Sequence, residues 1–145
     1  MLPSFNDDGV LPPGIWPCEM AELAQRFAVF RRTDRRLRLY GQLENLLRET
    51  LRTGVVVEVI IDGSFVTDKD EPNDIDLILG LPSGYDLDAA PFWIGNVLDE
   101  KRLARRYKFD VRIAPIDNTR YFERLDLYQQ IRDTSERKGV VRLLL

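Results

Sequence analysis

Histidine is missing from all 145 residues, and that absence removes more chemistry than any other feature of the composition. Ser-His-Asp and Cys-His nucleophile systems, HExxH sites and His-ligated zinc all need imidazole. The one cysteine, Cys18, has no partner for an internal disulfide or a CxxC pair, so a disulfide framework and a structural zinc site are excluded too. A reducing cytoplasm is the simplest compartment. No apolar run approaches the roughly 18 residues that a membrane span needs. The first residues carry Asp7 and Asp8 where a secretion signal has a basic segment and an apolar core. Neither membrane insertion nor secretion is expected. The net charge is only -3, from 21 basic and 24 acidic residues, and announces no polyanionic partner. Catalysis is left to carboxylates, hydroxyls, lysines, arginines and a hard cation such as Mg²⁺, which takes oxygen ligands.

What is present describes one globular domain over residues 1–145, with 44% hydrophobic and 31% charged residues. Residues 1–17 hold Pro3, Pro12, Pro13 and Pro17 with Gly9 and Gly14, which predicts an extended arm. Its Leu2, Phe5, Leu11, Ile15 and Trp16 would pack it against the body. Residues 18–54 read as two helices: a short one from Cys18 to Phe30, and a longer one capped at Thr33 or Asp34. The longer helix carries a stripe of Leu37, Tyr40, Leu43, Leu47 and Leu51 and ends at Gly54. The core of residues 55–116 contains a β-branched strand at Val55–Ile61, a second at Asp74–Leu79, one helix between about Asp88 and Arg106, and a third strand at Tyr107–Ile113. In that third strand Phe109, Val111 and Ile113 alternate with Lys108, Asp110 and Arg112. Residues 117–145 add a helix capped by Asp117 or Asn118 and a last strand from Val140. Trp16 and Trp93 read as core. The expected class is α/β (α+β), a mixed sheet with helices mostly on one side.

The chemistry-bearing pattern lies at the end of the first strand. Asp62-Gly63-Ser64-Phe65 is followed, with nine residues between Ser64 and Asp74, by Asp74-Ile75-Asp76. Asp74 and Asp76, two apart in extended chain, project to one face and can share a divalent cation. Gly63 allows backbone to approach a phosphate, and Ser64 offers a hydroxyl and an N–H. If the third strand lies beside the second in the right register, Asp110 makes a third carboxylate, enough for two Mg²⁺ ions and in-line displacement at phosphorus. Asp110 would then help to deprotonate the attacking hydroxyl. Lys69 and Thr67, in the intervening loop, could reach phosphate, although such loops are commonly just solvated. Asp62 could simply end its strand. The basic groups Arg31, Arg32, Arg35, Arg36 and Arg38, and Lys101, Arg102, Arg105, Arg106 and Lys108, could grip RNA phosphates but read first as solvated helix faces.

Gly-Ser followed by Asp-x-Asp resembles the pattern of the DNA polymerase β-like nucleotidyltransferase superfamily, in its minimal members, over about Val55–Ile116. The resemblance implies phosphate contacts at Gly63 and Ser64, metal at Asp74, Asp76 and Asp110, and transfer of a nucleoside monophosphate from an NTP with loss of pyrophosphate. Three further pieces, Leu11-Pro12-Pro13-Gly14-Ile15, Asp62-Gly63-Ser64-Phe65-Val66-Thr67 with Lys69 and Pro72, and Arg137-Lys138-Gly139-Val140-Val141, are similar to a nucleotidyltransferase-like bacterial family, several of whose members lie beside toxin-antitoxin-type genes. The Gly-Ser and Asp-x-Asp pattern then predicts transfer to a protein or tRNA acceptor, in a toxin-antitoxin or defence pair. The small size of the chain, which leaves only the short arm and one helix for acceptor recognition, points instead to a catalytically inactive module serving as the partner or antitoxin of another protein.

Overall fold

The computed structural model describes residues Met1–Leu145. Five strands form one sheet in the order β1-β5-β2-β3-β4, where β1 is Gly14–Cys18, β2 Glu58–Asp62, β3 Asp76–Leu81, β4 Asp110–Pro115 and β5 Gly139–Leu143. β2 pairs antiparallel with both β3 and β5, while β1–β5 and β3–β4 are parallel. The sheet is therefore mixed, as expected.

Strand alternation divides the apolar residues between two faces. Val59, Ile61, Leu77, Leu79, Val111, Ile113, Val141 and Leu143 enter a large core with the helices α1 (Met20–Phe27), α2 (Arg35–Leu51), α3 (Phe92–Val97) and α4 (Glu100–Tyr107). Ile60, Ile78, Ala114 and Val140 face the other way, under Tyr121 and Tyr128 of α5 (Thr119–Tyr128). Four of the five helices thus lie with the larger core. No helix is long and apolar enough to cross a membrane.

Several boundaries differ from the sequence expectation for local reasons. The arm ends in a strand, β1, because Gly139 N–H donates to the Leu11 carbonyl at 2.8 Å and a parallel ladder follows from Gly14↔Gly139. The first helix stops at Phe27, leaving Phe30 67% exposed. In α2 the buried stripe is Arg36, Leu39, Leu43, Leu46, Leu47 and Thr50, rotated from the expected one, so Leu37 is exposed. The single helix expected over 88–106 is three pieces: a short 3-10 turn at Leu87–Ala89, then α3, then α4, which restarts where the Asp99 carboxylate accepts from Arg102 N–H at 3.0 Å. Trp93 is half exposed rather than core. Asp74 and Ile75 precede β3, and β4 begins only after Lys108 closes α4 in a left-handed conformation at φ 62°.

Both edges of the sheet are blunted. Pro17 has no N–H to offer beyond β1. On β4 the Ile113 N–H is taken at 2.7 Å by the Glu100 carboxylate of α4, which Arg120 holds in turn.

Candidate active site

The candidate residues meet at one end of the sheet because of strand register. Asp62 stands opposite Asp76 in the β2–β3 ladder, and Asp76 opposite Asp110 in the β3–β4 ladder. Three carboxylates thus form a row across three strands, on the face covered by α5. Asp74 precedes Asp76 by two residues of extended chain, with buried Ile75 between them pointing into the large core. The expected trio of Asp74, Asp76 and Asp110 is brought to one place, and Asp62 joins it as a fourth member.

Each flanking carboxylate has a protein partner. Asp110 pairs with Arg112 of its own strand at 3.1 Å, and buried Asp62 forms an ion pair with Lys138. Asp74 Oδ1 accepts from the Ser64 hydroxyl and the Ser64 N–H, both at 2.7 Å. Asp76, in the middle, has no cation on it. Burial, then the carboxylates of Asp74, Asp62 and Asp110, push its pKa up to about 7. Burial raises Asp62 also, against the opposing pull of Lys138. Tyr128, whose hydroxyl donates to the Leu77 carbonyl at 3.3 Å, is held protonated by burial and by Asp110 and Asp76 nearby.

The Gly-Ser turn is built against this row. Gly63 has φ 92°, and a Cβ there would stand 2.9 Å from the Asp74 carbonyl and 3.0 Å from Asp76 N. Glycine is needed for the turn to lie against Asp74-Ile75-Asp76 at all. Ser64 opens a 3-10 turn, Ser64–Val66, and its Oγ accepts from Asn73 N–H at 2.9 Å and Asp74 N–H at 3.2 Å. The donors anticipated for phosphate are thus engaged on the Asp74 carboxylate. Lys69 is exposed, and its backbone carbonyl rather than its ammonium is what the fold uses, accepting from Arg36 Nε at 3.0 Å.

The loop from Gly63 to Asn73 is pinned by arginines that, in the sequence alone, read first as a solvated face. Arg36 is 1% exposed, and its guanidinium donates to the carbonyls of Phe65 at 2.7 Å, Thr67 at 2.7 Å, Phe27 at 3.3 Å and Lys69. Arg35 donates to the Pro72 and Asn73 carbonyls. From the other side, Gly9 of the arm accepts from Asp68 N–H at 2.9 Å. The signal for Arg36 was present: it falls on the inward stripe three residues before Leu39 and seven before Leu43. Asp62 could have been found by folding the apolar runs of β2 and β3 together about the 63–73 loop. Lys138 had no local signal.

The donor set is hard oxygen throughout, with one oxygen of Asp74 and one of Asp110 free of hydrogen bonds and ion pairs and Asp76 carrying none at all. That chemistry suits Mg²⁺. As the side chains lie, no three of them converge to enclose an ion. Cation binding would relieve the crowding that raises Asp76.

This crowding sets a pH dependence. Between its unfolded value near 3.8 and its folded value of about 7, Asp76 holds a proton in the native chain that the unfolded chain has released. Its contribution to stability therefore falls as pH rises through that window. In EDTA, Asp76→Asn should raise the melting temperature relative to the parent, by a margin that grows from pH 4 to pH 7. After allowance for solvent screening of a half-buried group, the plateau gain is about 1–2 kcal/mol. Thermal melts across pH check it, and a margin independent of pH would refute it.

One family model matches the chain, over residues 3–144, under the description "Family of unknown function (DUF6932)". No curated protein and no solved structure matches it.

Proposed function

We propose that this chain, which belongs to that family of unknown function, DUF6932, is a Mg²⁺-dependent nucleotidyltransferase moving a nucleoside monophosphate from an NTP to a protein or tRNA acceptor. The observation that carries the reading is the register Asp62↔Asp76↔Asp110 beside a Gly63-Ser64 turn that touches Asp74. Asp74, Asp76 and Asp110 would hold the metal, which supplies charge neutralisation of the polyphosphate and of the leaving pyrophosphate. The acceptor hydroxyl oxygen attacks the α-phosphorus, the bond from that phosphorus to the bridging oxygen breaks, and pyrophosphate departs with the electron pair. Asp110, through its free oxygen, takes the hydroxyl proton. Ser64 N–H and Oγ–H turn from Asp74 to a phosphate oxygen. The cytoplasm is the proposed compartment, in keeping with a lone, buried Cys18, and a toxin-antitoxin or defence pair the proposed setting.

Incubation with labelled NTPs, Mg²⁺ and cell lysate should label an acceptor. Asp74→Ala with Asp76→Ala should lower transfer by at least about a thousandfold, as expected when metal-held charge stabilisation is removed. Labelling that survives the double change defeats the assignment.

A second reading, a non-catalytic partner module that keeps the fold, is favoured by one observation: Lys138 and Arg112 already neutralise two of the four carboxylates from within. It requires tight partner binding indifferent to Mg²⁺, NTP and both aspartate changes, which calorimetry reads.

A further inference from the structure

On the opposite side of the β4 backbone from Asp110 lies a partly enclosed recess between the start of α2 and the start of β4. Its floor includes Phe109, and its walls carry Arg35, Arg38 and Lys108 with the amides of Gln42 and Asn73. None of its lining residues is acidic, in a chain with more acids than bases. Asn73 and Phe109 are the immediate neighbours of Asp74 and Asp110, so the recess opens one residue along the chain from the carboxylate row.

The cations here are only partly used. Arg35 spends Nε and Nη2 on the Pro72 and Asn73 carbonyls, which leaves Nη1. Arg38 holds Asp34 through Nε at 3.0 Å, leaving both terminal nitrogens. Lys108 has no carboxylate within ion-pair distance, since every ion pair of the fold is made by other residues. It also stands at φ 62°, a position that closes α4 and ordinarily goes to glycine. A small recess lined by two arginines, a lysine and two carboxamide side chains suits a tetrahedral oxyanion with several acceptor oxygens.

We propose that this recess is a phosphate subsite, taking a phosphoryl group carried by a substrate of the neighbouring carboxylate row. The choice of phosphate over other oxyanions rests on the nucleotidyl-transfer reading. The phosphoryl group belongs either to an RNA strand or to the polyphosphate tail of a nucleotide, and the two sources separate in solution.

Fluorescence anisotropy of a short labelled single-stranded RNA, with inorganic tripolyphosphate as competitor, is measured in EDTA on the whole chain. Arg38→Gln with Lys108→Gln should weaken at least one of the two probes about tenfold. For RNA the salt slope should fall by about 0.7, the value for one phosphate on a single strand. Loss for RNA assigns the subsite to a strand; loss for tripolyphosphate alone assigns it to the nucleotide tail. Lys101→Gln with Arg105→Gln, which removes equal charge from α4 outside the recess, should change neither probe more than about twofold. Unaltered affinity in the recess variant, or equal loss in both variants, overturns the proposal. Both altered side chains are exposed, so melting temperatures should match the parent; if the pair misfolds, Arg38→Gln alone carries the same comparison. Because no transfer is measured, Asp74→Ala with Asp76→Ala should keep this binding, and the recess is tested even in a chain without transferase activity.

Discussion

Arg36→Met should melt far below the parent, by about 10 °C or more, from a loss of about 3–5 kcal/mol. The side chain is almost wholly buried and its guanidinium satisfies four backbone carbonyls, three of them in the loop that follows Gly63-Ser64. Methionine fills much of the volume but leaves those carbonyls without donors, and each orphaned acceptor costs about 1 kcal/mol or more. Burial, with Arg31 nearby, brings the guanidinium down to about 10, so it remains charged at neutral pH. It is held by carbonyl dipoles with no carboxylate in contact. Arg36→Lys should recover only a small part, because one ammonium cannot reach carbonyls spread over Phe27, Phe65, Thr67 and Lys69. Urea or thermal unfolding decides the point. A variant within about 1 kcal/mol of the parent would mean that the loop keeps its shape unaided.

Gly139→Ala should be the most damaging glycine change. A Cβ at this position would stand 2.2 Å from the Pro12 carbonyl oxygen and 2.7 Å from Trp16 Nε1, which itself donates to that oxygen at 2.8 Å. Neither obstacle is a flexible side-chain tip, so relief requires β1 to move away from β5. The expected cost is about 2–4 kcal/mol. Hydrogen exchange should show amides at the β1–β5 ladder losing protection while β2, β3 and β4 keep theirs. The neighbouring Lys138 would leave Asp62, so the disturbance should reach the carboxylate row. Uniform loss across the whole sheet, or none at all, would contradict this local account.

These two expectations mark where the sequence was readable. Period-2 alternation in Phe109-Asp110-Val111-Arg112-Ile113 placed Asp110 on the right face, because alternation is a local property of extended chain. The β3–β4 register then brought it beside Asp76, which no single strand could specify. The pairing of Asp62 with Lys138 is illegible for the same reason: it joins residues 76 positions apart. Arg36 was hidden because its charge outweighed its place on the apolar stripe. Likewise β1 reads only as an arm, since the prolines and glycines in and around it are strong local punctuation and its strand exists only through Gly139. The segments Leu11-Pro12-Pro13-Gly14, Asp62-Gly63-Ser64 and Lys138-Gly139 were each legible as short patterns. Their convergence on one end of the sheet, with Leu11 bonded to Gly139 and Asp62 to Lys138, belongs to the fold.

The strand order has a consequence for how the molecule is made. β5 separates β1 from the rest of the sheet, so residues 14–18 have no strand beside them until residues 139–143 are synthesised. The β2–β3 hairpin and the β3–β4 unit can form as the chain emerges, whereas the first strand waits for the last. Closing so large a loop is entropically slow, which sets this fold among those whose final step is long-range pairing. While it waits, Ile15 and Trp16 lack the strand neighbours Val140 and Val141 that the finished ladder sets opposite them. Before β5 is made, the chain should therefore be more prone to aggregation than the finished fold.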